Sequence, residues 1–103
     1  MSELPKPFKK FTEVYPKVAE AYEKLGNEVH GAGPLDAKTR ALIKLAISVG
    51  GRMEGAVHSH TRKAIDAGCT KEEIRQTVLL ALTTIGLPNM MASMTWVNDI
   101  LES

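Results

Sequence analysis

A chain of 103 residues is long enough for one hydrophobic core and short for two, so one domain spanning residues 1–103 is expected. Hydrophobic residues make up 44% and charged residues 24%, which excludes the composition of a disordered segment. Thirteen basic and twelve acidic side chains leave a formal charge of +1, so neither nucleic acid nor an anionic membrane is expected as partner. No run approaches the roughly 18 apolar residues of a membrane span. Met1 to Lys6 carries no apolar h-region. Cys69 stands alone and can form neither an intrachain disulfide nor a CxxC pair. A reducing cytoplasm is the expected compartment.

Breakers divide the chain into helical lengths. Val18, Tyr22, Leu25 and Val29 recur at helical spacing after Pro16, a residue suited to a first turn. Gly31-Ala32-Gly33-Pro34 ends that helix, and Asp36 stands at an N-cap position before a helix over 37–49. Gly50-Gly51 marks the next break, and a third helix is expected from about Arg52 to Ala67. Gly68 suits the left-handed residue after its end. Thr70-Lys71-Glu72-Glu73 reads as a capping box. The helix it opens carries Ile74, Val78, Ala81, Leu82 and Ile85 on one face. Gly86-Leu87-Pro88 stops it, and a last helix covers residues 89–101. No stretch alternates with period two, so the expected fold class is all-α, with about five to six helices.

Two of these helices are apolar nearly all round. Ala41, Leu42, Ile43, Leu45, Ala46, Ile47 and Val49 cover most of one, and Val78 to Leu82 with Ile85 most of the other. Such helices are buried nearly all round, and a domain this small lacks the interior to bury both. Met90, Met91, Met94 and Trp96 add adaptable contact area. A homo-oligomer is therefore expected, with much of this surface at subunit contacts.

The chemistry belongs to the helix carrying Arg52-Met53-Glu54-Gly55-Ala56-Val57-His58-Ser59-His60. Two steps along a helix turn a side chain through about 200°, so His58 and His60 of one chain cannot chelate one ion together. No cysteine or second histidine cluster completes a site, and no metal is expected. His60 falls on the stripe of Met53, Ala56, Val57 and Ala64. It is either a core imidazole with one hydrogen bond or a proton shuttle in a dry pocket. His58 falls on the stripe Glu54, His58, Arg62, Asp66. That is either a solvated, ion-paired face or a carboxylate orienting an imidazole for acid–base work. Cys69, before the Thr70 cap, has no second thiol to resolve an oxidised sulfur, which favours structural packing.

The order Leu35-Asp36-Ala37-Lys38-Thr39-Arg40-Ala41-Leu42-Ile43, then His60-Thr61-Arg62-Lys63-Ala64, then Ala67-Gly68-Cys69-Thr70-Lys71-Glu72-Glu73-Ile74, an apolar helix and Gly86-Leu87-Pro88, resembles the carboxymuconolactone decarboxylase family. The resemblance is strongest from Leu35 to Leu101. It implies the alkylhydroperoxidase-D-like helical fold, built on an antiparallel helix pair, and oligomers that are commonly trimers or hexamers. One branch of the family decarboxylates a carboxylated muconolactone without a cofactor. The other reduces peroxides through a CxxC pair four residues before a histidine, with an upstream glutamate. With that histidine at His60, the cysteines fall on Met53 and Ala56 and the glutamate on Ala41. A thiol mechanism cannot run without a thiolate.

The resemblance thus implies a lyase acting without cofactor on a small carboxylated or lactone-type compound. His60 would be the proton donor, with His58 and Glu54 assisting, and Arg40 or Arg52 would hold a substrate carboxylate. The alternatives are a peroxide or antioxidant protein using Cys69, and a non-catalytic scaffold that binds a ligand or protein through its Met-rich last helix.

Overall fold

The computed structural model describes residues 6–103; the leader reading of residues 1–5 lies outside the described residues. Every regular element described is helical: α1 (Lys6–Val14), α2 (Pro16–His30), α3 (Ala37–Gly50), α4 (Glu54–Asp66), α5 (Lys71–Leu79), α6 (Leu82–Ile85) and α7 (Leu87–Leu101). The fold class is all-α, as the periodicity implied. The chain divides into two compact units, one ending at Leu35 and one beginning at Asp36.

In the first unit, α1 and α2 meet at Tyr15, whose amide donates to Phe11 while its carbonyl accepts from Ala19. Pro16 has no amide proton and separates the two helices at its own first turn. Phe8, Phe11 and Tyr15 form a tilted ring series with centroids 6.3 and 5.9 Å apart. No helix is expected from the sequence where α1 forms. Neither helix has a fully buried residue, and the stripe Val18, Tyr22, Leu25, Val29 lies exposed along α2.

The second unit holds the core. Asp36 caps α3 through its side chain, accepting from the Thr39 amide at 2.8 Å. That bond holds the Asp36 carboxyl below its ordinary range. The break to α4 places its left-handed residue on Arg52 (φ 54°) and not on either glycine, so α4 begins at Glu54, later than expected. Gly68 has φ 92°, as its position after α4 required. Thr70 and Glu73 close the capping box at 3.0 and 2.8 Å.

Where one continuous helix was expected over 71–85, two form. The Ala81 amide donates to Val78, an i−3 bond that tightens the chain at the end of α5. The Ala81 carbonyl then takes the amides of Thr84, Ile85 and Gly86. α7 starts two residues earlier than expected, with Pro88 in its first turn and Gly86 (φ 97°) before it.

α3 and α4 make the most extensive helix contact in this unit; a three-residue connection makes them antiparallel neighbours. α7 packs across α4 and α5. Leu45, Val57, Ile74, Val78 and Val97 are fully buried where these helices meet, and Met90 joins them with Met94 and Trp96 alongside. Arg75 ties α5 to α7 through Asn98 at 3.0 Å and Glu102 at 3.3 Å. The apolar surplus remains visible outside: Ile47 is 67% and Leu80 61% exposed, with Ile43, Leu79 and Met91 also exposed. No helix of the described residues is long and apolar enough to cross a membrane.

Candidate active site

Glu54 opens α4 in its first turn, where a carboxylate suits the positive end of the helix dipole. His58 follows one turn later on the same stripe. The side chain that meets them comes from α7: Asp99 Oδ2 lies 3.0 Å from His58 Nε2. Glu54, His58 and Asp99 each offer a donor atom within 4.8 Å of the others. The His58 side chain is 22% exposed and that of Asp99 49%, so the imidazole forms the floor and the two carboxylates the rim. The sequence places Glu54 and His58 on one stripe of α4 but gives no sign of Asp99, which lies 41 residues from His58.

His60 sits in α4, half-buried, with Val57 and Ala64 of its stripe fully buried and Met53 exposed. Being two residues apart in one helix, the His58 and His60 rings leave the axis about 200° apart. The two arginine candidates separate as well. Arg40 lies in the first turn of α3 and Arg52 just past its end, about 18 Å along the helix at 1.5 Å per residue. Arg40 belongs with Lys44 and Lys63. Burial first, then the charges of Lys63 and Arg40, pull the Lys44 ammonium below its ordinary range. Arg52 immediately precedes the turn that carries Glu54.

Cys69 is buried, its thiol 3.7 Å from the Lys38 carbonyl. Burial, followed by the charge of Glu73, pushes that thiol up, the reverse of what a reactive cysteine needs. An open apolar cavity of about 160 Å³ lies between α3, α5 and α6, lined by Ala46, Val49, Thr77, Leu80, Ala81 and Ile85 among others. No lining residue is ionisable. It can take an apolar body and offers no proton.

The helical domain thus sets one imidazole beside two carboxylates and has no cysteine at Met53 or Ala56. The carboxymuconolactone decarboxylase family model matches residues 16–99, and the chain belongs to that family. Its fold is that of a carboxymuconolactone decarboxylase family protein from Legionella pneumophila in its apo form. That likeness has a TM-score of 0.76 and 23% identity, over 93% of this chain and 85% of the other. An uncharacterised Haemophilus influenzae protein is 40% identical over 63 residues, 61% of this chain and 56% of that protein. The nitrosuccinic acid decarboxylase of Metarhizium robertsii is 35% identical over 72 residues, 66% of this chain and 50% of that enzyme. An uncharacterised Methanocaldococcus jannaschii protein is 32% identical over 83 residues, 80% of each chain. The chain thus spans about half the length of the first two of these relatives.

Proposed function

We propose that this protein is a lyase that decarboxylates a small carboxylated or lactone-type compound by acid–base chemistry, without a cofactor. The observation that carries the reading is the 3.0 Å contact of His58 with Asp99, beside Glu54, on this family's scaffold. In such a step the bond from carbon to the carboxylate breaks and carbon dioxide leaves. The electron pair moves onto a conjugated carbonyl or nitro oxygen. A proton delivered to carbon completes the product, and water reprotonates the donor. An imidazolium can give that proton, and Asp99 orients the His58 ring for it. A similarity to a nitrosuccinic acid decarboxylase supports a substrate in which an electron-withdrawing group stands beside the departing carboxylate.

His60 is the second donor candidate, about 200° around α4 from His58. Arg52, two residues before Glu54, is the better placed arginine for a substrate carboxylate, whereas Arg40 lies near Lys44. The apolar faces of α2, α3 and α5 support assembly into a homo-oligomer, a trimer or hexamer as the family implies.

Carbon dioxide release from carboxylated muconolactone, nitrosuccinic acid and small 2-oxo dicarboxylic acids tests the reading. His58→Asn is expected to lower turnover by about 100-fold or more, the usual worth of a positioned general acid, with helical circular dichroism retained. If His60→Gln abolishes turnover and His58→Asn does not, the donor is His60. Full activity in both variants removes the mechanism.

A further inference from the structure

We propose that Glu54, His58 and Asp99 bind one first-row divalent cation per chain. The sequence placed His58 on a charged face and weighed it against His60 alone, which cannot share an ion with it. Folding supplies a different set: one imidazole nitrogen and two carboxylate oxygens, from α4 and α7, all within 4.8 Å of one another. Bonds of about 2.0–2.2 Å to such donors place cis ligands roughly 3–3.5 Å apart. The His58–Asp99 spacing of 3.0 Å already meets that requirement. The remaining spacings, up to 4.8 Å, exceed that range by about 1.3–1.8 Å, which rotation of the exposed rim carboxylates would have to close.

Charge points the same way. Two carboxylates around one protonated imidazole keep a surplus negative charge, whereas two carboxylates and a neutral imidazole balance a dication. An N/O donor set of this kind suits zinc, manganese or cobalt better than calcium, which takes six to eight oxygens, or the soft ions that thiolates select. With three protein ligands, of which Glu54 and Asp99 are exposed, a bound ion would keep coordination positions open to solvent. A substrate carboxylate can reach them. The ion would occupy the atoms the acid–base reading assigns to the proton donor, so the two proposals share a site, and binding can be measured without turnover.

Chain stripped by a chelator is titrated with Zn²⁺ by calorimetry and with Co²⁺ by visible absorption. One ion per chain is expected, with Zn²⁺ displacing Co²⁺. His58→Asn and the more conservative rim variant Asp99→Asn should each weaken binding at least tenfold, while His60→Gln and His30→Asn leave it unchanged. Equal affinity in His58→Asn and Asp99→Asn, or no saturable binding to the unaltered protein, overturns the site. Turnover separates the two proposals. Full turnover after chelation, slowed by Zn²⁺ that binds as above, keeps both. Turnover lost on chelation and restored by Zn²⁺ keeps the site and retires the metal-free mechanism.

Discussion

Ser93→Ala is expected to stabilise the protein. Ser93 lies on the buried stripe of α7 with Met90, Val97 and Leu101, fully inaccessible. Its hydroxyl has no hydrogen-bond partner among the described residues. A buried, unsatisfied polar group costs about 1–3 kcal/mol, and alanine gains about 0.5 kcal/mol over serine in helix propensity. Against this stand the few dispersion contacts of one oxygen, at about 0.1–0.2 kcal/mol each. The balance is roughly 1–2 kcal/mol in favour of alanine. In a domain this size that raises Tm by about 4–16 °C, at about 4–8 °C per kcal/mol. Thr61 supplies the control. It is equally buried, but its hydroxyl donates to the Val57 carbonyl at 2.7 Å. Thr61→Val keeps the shape and loses that bond, so it should cost about 0.5–1.5 kcal/mol. Thermal and urea unfolding of both variants read the difference. Opposite signs follow from hydrogen-bond satisfaction, whereas a core that merely prefers apolar atoms gains in both. A fall in Tm for Ser93→Ala would refute the reasoning.

Thr70→Ala removes one half of the capping box and should cost about 0.5–2 kcal/mol, seen as faster amide exchange in the first turn of α5. Asp36 and Glu73 have carboxyls held below their ordinary range by cap hydrogen bonds. Their contribution is therefore complete above the unfolded carboxylate range and lost as pH falls through the lower folded values. Stability should decline on acidification, less steeply in the Asp36→Asn, Glu73→Gln double variant. If the proposed assembly uses the exposed apolar face of α5, Leu80→Glu at the 61% exposed Leu80 should leave the helical spectrum intact and lower the mass seen by light scattering; an unchanged mass refutes this face as a subunit contact. Cys69 should resist a thiol reagent in the folded protein and react fully in denaturant, because burial suppresses its thiolate.

What was legible in the sequence was local. Asp36, Gly68 and the Thr70–Glu73 pair announce helix ends because their partners lie within a few residues, and each sits where it was placed. α1 was missed although it was legible: Phe8, Phe11 and Tyr15 recur at helical spacing with Lys9, Lys10, Thr12 and Glu13 on the other face, the pattern of an amphipathic helix. The α5–α6 break was hidden: an apolar run from Val78 to Leu82 gives no phase to read. Asp99 carried no local mark at all. Its role at the candidate site depends on α7 crossing α4, and nothing near it in sequence fixes that crossing.

The candidate site has a simple relation to the family's other chemistry. The thiol branch, as the resemblance implies it, uses the stripe that here reads Met53, Ala56, His60. In this chain Met53 is exposed ahead of α4 and Ala56 is half-buried, so that stripe offers one imidazole and no nucleophile. Glu54 and His58 lie one residue over from Met53 and Val57, about 100° around the same helix. That rotation faces them toward Asp99 of α7. The proposed His58 site and the stripe that the thiol branch uses thus lie on different faces of the same helix. A substrate served by His58 has to approach over the α4–α7 seam, whereas one served by His60 comes from another side of α4. Substitution at Asp99, which touches only the first route, distinguishes the two without disturbing either histidine.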